Sequence, residues 1–154
     1  MRRPVTVTTG RHPFEVAVLA AALLCGVALT ITGLRPTSVT TGMPGTVQAI
    51  WQFGLIAAGG VGLAGVWWRG HLSVALGIEL VGVATLGTVT TMYAIALYAV
   101  SGRQAIAAGA FVAGVAFAAW WRVAQIGVDL HRVTAAINAG SAGDVHLLVE
   151  QEQE

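Results

Sequence analysis

The stretch LSVALGIELVGVATLGTVTTMYAIALYAV, Leu72–Val100, decides the fold. It runs for 29 residues without proline, is apolar almost throughout, and carries one carboxylate, Glu79, well inside it. As a helix it would extend about 43 Å at 1.5 Å per residue, more than the ~30 Å hydrocarbon core of a bilayer. It therefore reads as a membrane-spanning helix that tilts, or projects a turn or two beyond the bilayer. A carboxylate inside such a helix is expensive, which makes Glu79 the first place to look for function.

Three further apolar segments flank this run: 14–34, opened by His12-Pro13, then 47–68 and 104–121. Proline suits the first turn of a helix, where its missing N–H costs nothing. The expected fold class is all-α, an integral membrane four-helix bundle with spans at about 14–34, 47–68, 72–100 and 104–121. Arg35 to Thr46, rich in Thr, Ser, Gly and Pro, reads as a loop. Arg69-Gly70-His71 and Ser101-Gly102-Arg103 read as tight turns, so neighbouring spans alternate in direction.

Beyond the fourth span the pattern changes. Val123, Ile126, Leu130, Val133 and Ile137 recur at helical spacing on one face, and Arg122, Gln125, Asp129 and Arg132 occupy another. This predicts an amphipathic cytoplasmic extension over 122–137. Residues 1–137 then form a single transmembrane domain that includes the extension. Asn138 to Gly143 reads as a linker, and 138–154 as a flexible, acidic tail ending in Glu150-Gln151-Glu152-Gln153-Glu154.

Composition agrees with a membrane class. The 154 residues are 56% hydrophobic and 10% charged, with a mean hydropathy of +0.76, where soluble domains carry roughly a quarter charged residues. All eight basic residues are arginine, and a net charge of +1 gives no indication of nucleic-acid binding. The single cysteine, Cys25, excludes an intrachain disulfide and a cysteine zinc site. Leu24 immediately before it argues against lipoprotein processing, and its mid-span position reads as a small buried apolar residue. The first apolar run exceeds the roughly 7–15-residue core of a signal peptide and ends in no small-x-small site, so it reads as an uncleaved span.

Orientation follows from the arginines. With four spans, Arg2, Arg3, Arg11, Arg69, Arg122 and Arg132 share one side, against Arg35 and Arg103 on the other. The positive-inside rule places both termini in the cytoplasm and the protein in the inner (cytoplasmic) membrane as a multi-pass protein. Trp67 and Trp68 before Arg69, and Trp120 and Trp121 before Arg122, read as interface anchors at that face. Gln48-Ala49-Ile50 and Gln104-Ala105-Ile106 each precede one of these Trp-Trp-Arg groups, a weak internal repeat that suggests either a duplicated hairpin or chance.

Helices associate in lipid through small residues that let backbones approach. Ala110, Gly114 and Ala118 form such a stripe in the fourth span and are the expected helix-packing positions. In the third span, Glu79, Gly82, Val83, Leu86, Thr90, Tyr93 and Leu97 share a face. Glu79, Thr90 and Tyr93, with Gln48 and Gln52 one turn apart in the second span, are the candidate intramembrane polar site. Two readings of Glu79 stand: a protonatable or cation-attracting position on a path, or one half of an inter-helix clamp with Arg69 or Arg122 as charge partner. Glu15, in the first turn of the first span, reads as an interfacial cap. His12, His71, His131 and His146 fall outside the spans without metal-ligand spacing, so no metal is expected. No phosphate loop, catalytic triad pattern or carboxylate pair is present, so neither a cofactor nor enzyme activity is expected.

The pieces His12-Pro13-Phe14-Glu15, Met43-Pro44-Gly45, Trp67-Trp68-Arg69-Gly70, Met92-Tyr93-Ala94 and the run from Trp121-Arg122 to Asp129-Leu130 give the chain a resemblance to small multi-spanning membrane proteins of actinobacterial bacteriophages. Some of these resemble holins, which assemble in the inner membrane and permeabilise it. The resemblance implies a phage context and self-association, and transfers no site residues. Small multidrug transporters match in size, but their pattern centres on a glutamate deep in the first span, whereas Glu15 lies at its edge. Three functions stand open. One is an oligomerising, holin-like protein or accessory scaffold whose partners are the bilayer and itself. A second is a proton- or cation-coupled channel or carrier using Glu79. The third is an adaptor recruiting a cytoplasmic protein through 123–154.

Overall fold

A computed structural model describes residues 13–69 and 71–151 of the chain. Arg2, Arg3, Arg11 and His12, which enter the orientation count and the resemblance, lie outside the described residues, as do Gly70 and the last residues of the acidic tail. The side chains of Val133, Ile137 and the rest of the tail lie outside them too. Among the described residues every element is helical: α1 (Pro13–Thr32), α2 (Thr37–Gly42), α3 (Gly45–Trp67), α4 (Leu72–Ser101) and α5 (Ile106–Gln151), with a 3-10 turn at Gly102–Ala105.

Three helical stretches are long and apolar enough to cross a membrane: Pro13–Thr32, Gly45–Trp67 and Ser73–Arg132. The last holds 60 residues, about 90 Å if straight, but it is not straight. Gly102 has φ +50, a region where a side chain would strain the backbone, and the chain reverses there. Gly109 then sits beside Tyr98, and Gly87 lies under Trp120, an antiparallel register between α4 and α5.

The long helices pack in sequence order: α1 on α3, α3 on α4, and α4 on α5. Among the described residues no Cα of α1 comes within 8 Å of α5, so the row does not close. The α3–α4 seam depends on small residues. A Cβ on Gly62 would meet Leu19, a Cβ on Gly82 would collide with the Gly62 backbone, and one on Gly65 would collide with the backbone of Glu79. Close approach of the two backbones along this seam brings many atoms into dispersion contact. Leu19, Ala58, Val83, Leu86 and Val89 fill the core around this seam.

Several expectations change. The stretch read as a loop contains α2. Thr, Ser and Gly are poor helix formers, but Pro36 accepts from the N–H groups of Val39 and Thr40, and Val39 is fully buried. Tertiary burial overrides propensity there. Cys25 is exposed, because α1 turns Leu19, Ala22 and Gly26 inward and Cys25 lies off that face. Ala110, Gly114 and Ala118 are exposed and do not seat α5 on the bundle; Gly114 has nothing near it. The face that does so carries Ala105, Gly109, Ala116, Ala119 and Ile126. The linker expected at 138–143 is helical, part of α5, which runs on through Gln151.

The two Trp-Trp-Arg groups are not equivalent. Trp67 ends α3, whereas Trp120 lies inside α5 against Gly87, fifteen residues into α4, or roughly 22 Å along it. Trp120 and Trp121 are therefore not at the depth of Trp67 and Trp68, which removes the reading of all four as anchors at one face.

Substituting Gly62→Val is expected to lower stability by about 1–3 kcal/mol through overpacking, read as a lowered thermal midpoint of the purified chain in detergent. Gly114→Ala, at an open position, is expected to leave the midpoint unchanged.

Candidate functional site

Glu79 is buried and lies on α4 at the point where Gly65 brings α3 against it. Its partner is Arg122. The Arg122 Nη2 donates to Glu79 Oε1 at 2.6 Å. The α4–α5 register sets the Arg122 backbone opposite Thr85, six residues and roughly 9 Å further along α4 than Glu79. The arginine side chain thus runs back along the bundle to reach the carboxylate, the behaviour of a long cationic chain that buries its stem and carries its charge toward the polar end.

A third group completes the cluster. Glu15 Oε2 lies 3.0 Å from Arg122 Nε. The side chains of Glu15 and Arg122 are each 14% exposed and that of Glu79 10%. One guanidinium therefore joins α1, α4 and α5. The 3.0 Å contact is an ion pair in distance only. The Nε–H does not point at the oxygen, and among the described residues Glu15 Oε1 and Arg122 Nε have no hydrogen-bond partner. With both acids ionised, the cluster carries one more negative than positive charge.

From the sequence alone Glu15 reads as a cap and Glu79 as the lone acid deep within a span. The structure makes them a pair on one arginine. Glu15 lies one turn before Leu19, and Leu19 packs at Gly62 while Gly65 packs at Glu79. The α1–α3–α4 register alone thus sets Glu15 and Glu79 at one level. Arg69, the other candidate partner, is exposed and forms no ion pair among the described residues.

The remaining candidates lie elsewhere and serve other contacts. Thr90 donates back to the carbonyls of Leu86 and Gly87 in its own helix. Tyr93 packs on Trp51 with ring centroids 5.4 Å apart. Gln48 and Gln52 lie toward the opposite end. Gln48 accepts from Arg35 at 2.8 Å and donates to the Met43 carbonyl at 2.8 Å, and Gln52 donates to Thr30 Oγ1 at 2.9 Å. They bind α2 and its flanking segments to α3, and α3 to α1. Trp120 Nε1 donates to Thr91 Oγ1 at 3.3 Å.

Beside the ionic cluster the gap between α1 and α5 forms a groove of about 310 Å³. Phe14 and Val18 of α1 form one wall, Ala118 and Trp121 of α5 the other, and Val83 and Leu86 of α4 the floor, with Glu15 and Arg122 at its polar end. Among the described residues no group of three or more His, Cys, Asp or Glu is placed to hold a metal ion. Comparison with protein-family models, with curated proteins and with solved structures gives no match.

The asymmetry of the cluster ranks its members. Arg122→Gln leaves two buried carboxylates facing each other and is expected to cost about 3–5 kcal/mol. Glu15→Gln, which removes the excess charge and keeps the Arg122–Glu79 bond, is expected to cost less than Arg122→Gln or Glu79→Ala. Denaturant unfolding of the three purified variants checks the order; a Glu15→Gln loss as large as that of Arg122→Gln contradicts it.

Proposed function

We propose that the chain is a four-span protein of the inner membrane, with both termini in the cytoplasm, that acts by assembling with copies of itself, holin-like or as a scaffold, and carries no catalytic activity. The observation that supports this reading is how the polar groups within the helices are used. At one end Arg122 holds Glu15 and Glu79; at the other, Gln48 and Gln52 hold α2 and α1 to α3. Between them lies the apolar seam of Leu19, Gly62, Gly82, Val83 and Val89. A transport path needs polar groups that face one another across the span, and here they hold helices instead.

The four spans follow from dividing Ser73–Arg132 at Gly102 into two antiparallel legs. α4, at 30 residues, is longer than a bilayer core requires. Its first turns, from Leu72, precede Glu79, which lies level with Glu15, and so reach beyond that level. The cluster then lies near the cytoplasmic headgroups, in keeping with the arginine bias of that side. On the outward face of α5, Ala110 and Gly114 are exposed between Phe111 and Phe117. A small-residue stripe flanked by aromatics suits close helix packing between copies.

Gly114→Cys in a Cys25→Ser background is expected to give disulfide-linked dimers in membranes, and Gly114→Leu to reduce the oligomer recovered by chemical cross-linking at least several-fold. A holin-like role adds abrupt loss of membrane potential on expression. A chain that stays monomeric at every density, or carries an ion flux abolished by Glu79→Gln, contradicts the proposal.

A further inference from the structure

We propose that one proton, shared between Glu15 and Glu79, latches the start of α1 against α4 and α5, and that its loss opens the row between α1 and α5 as pH rises. The inference goes beyond self-assembly and rests on the ionic cluster. Two acids and one base lie there almost wholly out of water. Arg122 gives its Nη2 to Glu79, which leaves Glu15 without an aligned hydrogen bond. Its Oε2 lies off the Nε–H axis, and its buried Oε1 meets no donor among the described residues. The two carboxyl groups also lie within hydrogen-bonding reach of each other. Ionised carboxylates only accept, so this contact is repulsive while both are charged and becomes a hydrogen bond when one takes a proton. A buried charge without a partner is relieved by neutralising the group. Glu79 holds the charge-assisted bond, so Glu15 is the acid that takes the proton.

Among the described residues no second base balances the pair. Glu15 faces Glu79 from α4 and Arg122 from α5, and α3 carries no charged residue. Asp129 and Arg132 of α5 pair with each other, and Arg69 and His71, between α3 and α4, are exposed. The latch acts on a helix end that little else holds to α5. α1 is seated on α3 where Gly59 meets Leu19 and Leu23 and where Gly26 meets Leu55 and Ile56. Glu15 lies in the first turn, ahead of that contact, and no Cα of α1 comes within 8 Å of α5 among the described residues. With the proton in place, Glu15 donates to Glu79 and the cluster is neutral. When the proton leaves to the adjoining water, two carboxylates share one guanidinium, and the end of α1 pivots outward on α3 to carry Glu15 to solvent. The closed arrangement holds one proton more than the open one, so the closed-to-open ratio falls as pH rises, by at most about tenfold per pH unit.

The test measures the gap and the proton separately, on the full chain in lipid nanodiscs. Spin labels on Phe14→Cys and Ala118→Cys, both exposed positions flanking the gap, are placed in a Cys25→Ser background and diluted with unlabelled chain. Double electron–electron resonance is expected to give one short distance at about pH 5 and a longer one at about pH 9, on either side of neutrality, with the closed-to-open ratio at least tenfold lower at the higher pH. Glu15→Gln carries its own N–H donors and no charge, so it is expected to keep the short distance at both. Infrared difference spectra of the unlabelled chain with its natural residues are expected to show the C=O stretch of one protonated carboxylic acid at the lower pH. Glu15→Gln and Glu79→Gln are each expected to remove that band, the second because it leaves one acid on one base. A distance that does not change with pH, a change that persists in Glu15→Gln, or a cluster with no protonated carboxyl overturns the proposal. The infrared result on the unaltered chain decides even if a variant fails to fold, and neither measurement depends on whether copies assemble.

Discussion

A single guanidinium sets the arrangement of the helices. Arg122 reaches Glu79 on α4 and Glu15 on α1, two helices whose backbones make few direct contacts. A charge removed from water needs partners of opposite sign, and removing one partner costs more than the pair contributes. The cluster therefore acts less as a source of net stability than as a constraint on register. α1, α4 and α5 can slide past one another only by exposing or unpairing these groups.

The glycine seam makes that constraint possible. Glu79 can lie under α3 only because Gly65 has no side chain, and α3 meets α4 this closely only through Gly62 and Gly82. Close packing on one side of the row leaves the other side open, since α1 follows α3 and α5 follows α4. The groove is the geometric remainder, and the polar cluster lies at its end because the residues that bridge the gap are the ones long enough to do so.

The long helices were legible in the sequence because each apolar run is long and proline marks the start of two of them, Pro13 before α1's run and Pro44 before α3. The direction reversal at Gly102 was legible for the same reason. The face of α4 that carries Glu79, Gly82, Val83 and Leu86 followed from the helical period, and those residues are buried. What the sequence hid depends on relative height. Glu15 and Glu79 are far apart in the chain, and only the register of α1 on α3 and α3 on α4 sets them level. The depth of Trp120 was hidden because a Trp-Trp-Arg group looks the same at a helix end and within a longer helix. The stripe at Ala110, Gly114 and Ala118 was visible, but its period does not say which neighbour it faces. α2 was missed because its residues form a helix only where Val39 and Met43 are buried.

The claim that one arginine between two acids fixes the register is tested most directly by exchanging the charges. Glu79→Arg and Arg122→Glu should each abolish a folded, monodisperse chain, the first by setting two arginines together and the second by gathering three acids. The double substitution restores one base between two acids at the same level, and the account predicts that it recovers most of the lost thermal stability. A double variant no more stable than either single one would contradict it.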